Sequence, residues 1–368
     1  MPLSIRDVVR ACRECARAGK RVVNAHIGAP SHPPPIEVEE VLSSLSRVGR
    51  DYTPFMGLGE LREAAAEFSS RIMGRDFGPD RVVVVGSGAH AHLVVAALLS
   101  GREALYPRPG FPLYYPQLEM NRVRVRFYDP RAEDVVGEVL RSLSPDTAAV
   151  LINYPHNPTG VCPPARVLEE LWEELSSRGI LLINDFVYHQ IYYGERPPPI
   201  GEILIDSSSK SLALPGLRVG LLFFSDEETA RRAGRLVYHT TAGVSDVSQL
   251  VFAAALRAAD EVYFERVREH YRRIRDAVVD SLRRAGLEFR EPMGAFYVFA
   301  RHPAVRDASE LIARLIEPSR DVCVGLVPGE TFLGERECFR VSFGRLTRED
   351  ADLIGREIER EVGGLGPV

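Results

Sequence analysis

The chain has 368 residues, 45% hydrophobic and 26% charged, with a net charge of −5. Such a make-up excludes wholesale disorder and suits two domains, or one domain with an added lobe, large enough to bury a core without disulfides or metals. Basic and acidic residues are interspersed, so no nucleic-acid or membrane surface is implied, and no apolar run reaches the ~20 residues that a bilayer-crossing helix needs.

The first stretch reads as a helix and lacks the continuous apolar region of a secretion signal. It carries Cys12 and Cys15, a C-x-x-C with no second Cys or His pair to complete a zinc site. They read as two small residues on one helix face. The odd count of five cysteines suits a reducing cytoplasm. An extended Pro-rich segment, Ile27 to Pro35, follows. These first 45 or so residues fit no parallel sheet, and are assigned to a second lobe or a subunit contact.

From residue 80 onward, short β-rich runs alternate with helical patterns. The predicted strands are Val82–Val85, Glu103–Pro107, Val123–Tyr128, Ala148–Asn153, Ile180–Asn184, Glu202–Asp206 and Val219–Phe224. Helices are predicted at His90–Leu99, Tyr114–Met120, Arg131–Leu143 and Pro164–Arg178. This alternation means βαβ units and a mostly parallel seven-stranded sheet flanked by helices, with the last two strands as an antiparallel candidate. Ser248 to Ala285 reads as one long helical region. Short strands and helices after it read as a smaller α+β lobe. The expected division is 1–45 with 271–368 as a small domain and 46–270 as a large, cofactor-binding one.

Gly86-Ser87-Gly88-Ala89-His90-Ala91 follows the first strand and opens a helix. Free N–H groups at a helix start attract phosphate. G-x-G-x-x-A also fits a dinucleotide site, but the next strand ends without the acid that would hold a ribose, and Arg108 leaves an NADP enzyme open. His90 and His92 read as helix-start or packing residues rather than metal ligands. Of 46 basic residues only Lys20 and Lys210 are lysine. An amine can lose its proton and attack a carbonyl, which a guanidinium cannot. Lys20 suits a helix end. Lys210 lies between two apolar runs and stands out. Three strand ends bring Asn157, Asp185, Tyr188, Ser207 and Lys210 to one edge, with Arg218 eight residues on.

In these motifs the sequence resembles the pyridoxal-phosphate-dependent aminotransferases of fold type I, class I/II, the aspartate aminotransferase-like group. The resemblance rests on Ser207-x-x-Lys210 with Pro215-Gly216-Leu217-Arg218-Val219-Gly220, on His156-Asn157-Pro158-Thr159-Gly160 and on the Asp185/Tyr188 pair. Asp51-Tyr52-Thr53-Pro54, Pro109 to Tyr114, Pro292-x-Gly294-Ala295-Phe296, Pro328-Gly329-x-x-Phe332 and Phe339-Arg340-Val341-Ser342 occur in the same order. It implies a homodimer with shared active sites and transfer of an amino group between an α-amino acid and a 2-oxo acid by a ping-pong path between pyridoxal and pyridoxamine phosphate. By resemblance, Lys210 forms the Schiff base and moves the proton, and Asp185 holds the pyridine nitrogen protonated. Asn157 and Tyr188 bond the ring oxygen, and Phe111 stacks on the ring. Ser87, Gly88, Ala89, Ser207 and Arg218 hold the phosphate, with Tyr52 of the partner subunit. Arg340 binds the substrate carboxylate, with Gly28 as a backbone contact and Asn157 nearby. Phe186 stands where relatives commonly have Glu. A carbon–sulfur lyase or a decarboxylase would use the same parts.

Overall fold

A computed structural model describes residues 3–46 and 48–363. Of the expected domain spans, residues 1–2, 47 and 364–368 lie outside the described residues.

The seven strands expected from the sequence form one sheet, each within a residue or so of its predicted ends. Their spatial order is Val82–Val85, Gly220–Phe224, Ile203–Ser207, Leu181–Asp185, Thr147–Ile152, Glu103–Pro107, Arg124–Tyr128. All neighbours run parallel except Gly220–Phe224, which is antiparallel to the strand on either side. The reason is the connection before it. Residues 208–219 hold only a short helical turn at Pro215–Leu217 and no crossover helix, so the chain turns back beside the strand it has just left. Four strands, the edge strand Val82–Val85 among them, are buried along their whole length, which is why they read as continuous apolar runs. The opposite edge strand, Arg124–Tyr128, alternates instead. Parallel strands put their carboxyl ends at one edge, so Asp185, Ser207 and the residues after Ile152 meet there.

A four-stranded antiparallel sheet orders Val327–Pro328, Cys338–Ser342, Tyr297–Arg301 and Glu288–Phe289. Arg21–Val23 pairs in parallel with Val322–Val324, so the beginning of the chain joins its last third. Three expectations need correction. The long helical region is two helices, Asp246–Ala258 and Glu261–Arg284. Asp260 breaks it by accepting the backbone N–H of Tyr263, which starts a new helix. The helix Glu227–Thr241, capped by Asp226, was not anticipated. Cys12 and Cys15 do share a buried face of the helix Ile5–Arg17, but Cys15 forms a disulfide with Cys323, 308 residues away with the Cα atoms 6.6 Å apart. Cys12, Cys162 and Cys338 are free. Cysteine usage therefore gives no argument for a reducing compartment.

Candidate active site

Two glycines let the site close. A β-carbon on Gly220 would lie 2.9 Å from the Ser87 carbonyl carbon, so the strand can pass directly behind the Ser87-Gly88 loop. Gly160 turns the segment after Asn157 with φ +73°, and a β-carbon there would strike the Tyr297 carbonyl oxygen at 2.4 Å. Ser87 caps the helix Gly88–Leu98 by accepting the His90 N–H at 3.1 Å. The neighbouring N–H groups open on the cavity described next.

That cavity, about 240 Å³, lies at the strand ends. Of the predicted residues it is lined by Ser87, Gly88, Ala89, Phe111, Asn157, Asp185, Tyr188, Ser207, Lys210 and Arg218. Lys210 donates from Nζ to the Gly28 carbonyl at 2.6 Å, so the Pro-rich segment reaches the amine. Arg218 sits in the left-handed region at φ +52°, uncommon for a non-glycine, and donates to the Pro215 carbonyl at 2.8 Å. Ser207 is held through its own N–H by Asp206 Oδ1 at 2.7 Å.

Asp185 is buried. Tyr114 donates a short hydrogen bond to its Oδ2, while Oδ1 is buried with no partner among the described residues. Burial raises its pKa to about 6, against the pull of the Tyr114 hydrogen bond, the Val187 N–H and the Lys210 charge. Arg340 is 5% exposed and lies between the rings of Tyr297 and Phe332, 4.6 and 4.7 Å from their centroids. It donates to Asn157 Oδ1 at 3.0 Å and to the His26 carbonyl at 3.1 Å, and its Nε has no partner among the described residues. No carboxylate pairs with it among the described residues. A buried guanidinium with only neutral acceptors is a ready receptor for an anion.

Several groups here had no role in the sequence reading. Asn153 donates to the Asp185 carbonyl at 2.7 Å and accepts the Asn157 N–H at 3.0 Å, locking two strand ends together. Its signal was its place, at the end of a predicted strand. Tyr114 lay inside a quoted motif, and Tyr297 directly after one. His92 is buried between Gln117 at 2.6 Å and the Tyr106 hydroxyl at 2.9 Å, and burial lowers its pKa to about 4. His92 thus packs in the interior, and among the described residues no three of His, Cys, Asp and Glu are grouped so that they could hold a metal ion. Phe186 stacks on His189 in the core, 4.8 Å between centroids. Arg108, the NADP candidate, turns away to the Leu333 carbonyl at 3.2 Å and does not line the cavity. Tyr52 does not line it either, and is 89% exposed.

The chain is 32% identical over 354 residues to an aspartate aminotransferase of Thermotoga maritima, covering 90% of each. A solved aspartate aminotransferase of Thermus thermophilus, a double mutant, superposes with a TM-score of 0.88 at 25% identity, covering 98% of this chain and 97% of that one. An aromatic aminotransferase from Pyrococcus horikoshii gives 0.82 at 26% identity, covering 96% and 99%. Residues 20–356 match the family model of aminotransferase class I and II, and that span takes in every residue of the cavity: the chain belongs to this family, whose enzymes transfer amino groups.

Proposed function

We propose that the cavity binds pyridoxal 5′-phosphate and that the enzyme passes an amino group from an α-amino acid to a 2-oxo acid in two half-reactions. The observation that carries this is the meeting, in one small cavity, of Lys210 with the unpartnered buried oxygen of Asp185. The residues fit the cofactor. Asp185 Oδ1 wants a donor such as a protonated ring nitrogen, the helix start at Gly88 with Ser207 and Arg218 suits a phosphate, and Lys210 suits an aldehyde.

Bound there, the cofactor supplies an electron sink for the pair left when a substrate Cα gives up its proton. The chain does the rest. Asp185 keeps the ring nitrogen protonated from within a buried pocket. Asn157 and Tyr188 are the donors for the ring oxygen, Phe111 offers an aromatic face, and Ser87, Gly88, Ala89, Ser207 and Arg218 hold the phosphate. Arg340 grips the α-carboxylate with its forked N–H groups, beside Asn157, and Gly28 lies against the same place. This clamp fixes Cα so that its C–H bond, not its carboxylate bond, is the one to break. Lys210 is the base that takes that proton and returns it.

Among the described residues Lys210, Arg218 and Arg340 are the cations of this site and each already has a task, so we read the amino donors as neutral or aromatic. We read the acceptor as 2-oxoglutarate, whose second carboxylate then needs a donor other than these three. We read residues 1–45 and 271–368 as a small domain and 46–270 as the large one, and the active form as a homodimer in which exposed Tyr52 reaches the partner's phosphate site. We place the reaction in the cytoplasm, where amino and 2-oxo acids are exchanged. A disulfide whose sulfurs are wholly buried is shielded there from reductants. Borohydride reduction of the yellow protein followed by peptide mapping should label Lys210. Label on Lys20 alone, or none, would overturn the proposal. Amino donors should bleach the yellow colour; release of ammonia and pyruvate from β-substituted amino acids without bleaching would mean a lyase.

A further inference from the structure

Tyr297 is 1% exposed and touches three parts of the site. Its hydroxyl lies 2.8 Å from that of Tyr188. Its ring lies under the Arg340 guanidinium, 4.6 Å from the centroid. A β-carbon on Gly28 would sit 2.8 Å from the same hydroxyl, so the segment that accepts the Lys210 amine packs directly against it.

We propose that Tyr297 is a positioning residue: its hydroxyl donates to Tyr188 and turns the Tyr188 proton into the cavity, while its ring seats Arg340. The argument is a count of protons. Each phenol has one proton to give and can accept. Tyr188 lines the cavity and Tyr297 does not. Neither hydroxyl has another hydrogen-bond partner among the described residues. If Tyr188 gave its proton to Tyr297, the Tyr297 proton would be buried against Gly28 with no acceptor, a costly arrangement. With Tyr297 as donor, both protons have a destination: one bonds Tyr188, the other faces the cavity. Accepting a hydrogen bond also makes Tyr188 a stronger donor. The coupling has a structural use, since one side chain backs both the phenol that meets the cofactor and the cation that meets the substrate carboxylate.

This inference rests on the reading of the cavity as a pyridoxal-phosphate site, and the test separates the two. With the cofactor bound, its linkage to Lys210 would carry a proton that the ring oxygen shares. A donor to that oxygen competes with that proton. Weakening the donor therefore tightens the proton and moves the pH titration of the visible absorption band upward. Tyr297→Phe, loaded with cofactor and without substrate, should titrate about one pH unit higher than wild type, a tenfold change in proton affinity. In a Tyr188→Phe background the same substitution should add nothing, because its route is gone. Gly28→Ala crowds the Tyr297 hydroxyl from the other side and should shift the titration in the same direction. In turnover, Tyr297→Phe keeps the ring under Arg340, so KM for the amino acid should stay within about threefold while kcat falls about tenfold. Tyr297→Ala should raise KM as well. A wild-type protein with no titrating visible band would overturn the cofactor reading and this inference with it. A normal wild type with an unshifted Tyr297→Phe, or a full shift persisting without the Tyr188 hydroxyl, would overturn the inference alone.

Discussion

Asp185 should leave a signature in the stability of the cofactor-free protein, because its carboxyl is buried with one oxygen unpartnered and titrates at about 6 against an ordinary 3.8. The folded state thus holds this proton more tightly than the unfolded chain does. The stabilising contribution is fully present below about pH 3.8 and is lost as the pH rises through about 6. Over the whole window the loss approaches about 3 kcal/mol at ~1.36 kcal/mol per pH unit, and between about pH 4 and pH 7 it is about 2 kcal/mol, roughly a thirtyfold change in the folding constant. Buried histidines work in the opposite sense over part of the same range. His26, His32 and His92 are pushed down to about 4 by burial, so their neutral forms favour the fold above pH 6.5 and that benefit fades on acidification. A single pH profile mixes the two. Asp185→Asn separates them: it removes the titrating group and leaves the histidines. Denaturant unfolding of the cofactor-free wild type and Asp185→Asn at several pH values should give a stability difference that moves by about 2 kcal/mol against the wild type from pH 4 to pH 7. Any fixed cost of a buried amide only offsets the curve. Saturation with cofactor should flatten it, since a donor then meets the free oxygen, while the variant loses most of its turnover. Parallel pH profiles in the cofactor-free proteins would refute the buried, half-satisfied carboxylate.

The Cys15–Cys323 bridge closes a loop of 308 residues, for which the chain-entropy account gives up to about 6 kcal/mol of stabilisation. Thiol counting should find two extra thiols after reduction under denaturing conditions, and the reduced protein should melt several degrees lower; equal melting temperatures would show that the bridge adds nothing. Mixing Tyr52→Phe chains with Lys210→Ala chains should yield hybrid dimers with one site carrying both defects and one carrying neither, so activity should return toward a quarter to a half of wild type. No recovery on mixing would exclude shared sites.

Much of this protein was legible without its structure because the relevant forces act locally or repeat regularly. Val82–Val85 and the strands after it are short apolar runs between helical patterns, and a sheet covered on both faces demands that pattern. Parallel strands put their ends on one edge, so Asn157, Asp185, Ser207 and Lys210 could be grouped from their positions in the chain. The scarcity of lysine singled out Lys210 before any geometry was known. Other features depend on which distant side chains the packing brings together, and no spacing in the sequence encodes that. The long helical pattern hid a cap at Asp260, since helical periodicity continues across a two-residue break. Cys15 finds Cys323 only because Arg21–Val23 pairs beside Val322–Val324. Asn153, Tyr114 and Tyr297 hold Asp185, Asn157, Tyr188 and Arg340 through contacts across separate strands and sheets. Ten residues of the cavity lining could be named from the chain alone. The groups that aim them are set by tertiary packing, because a hydrogen bond depends on where a donor ends up in space, not on its place in the chain.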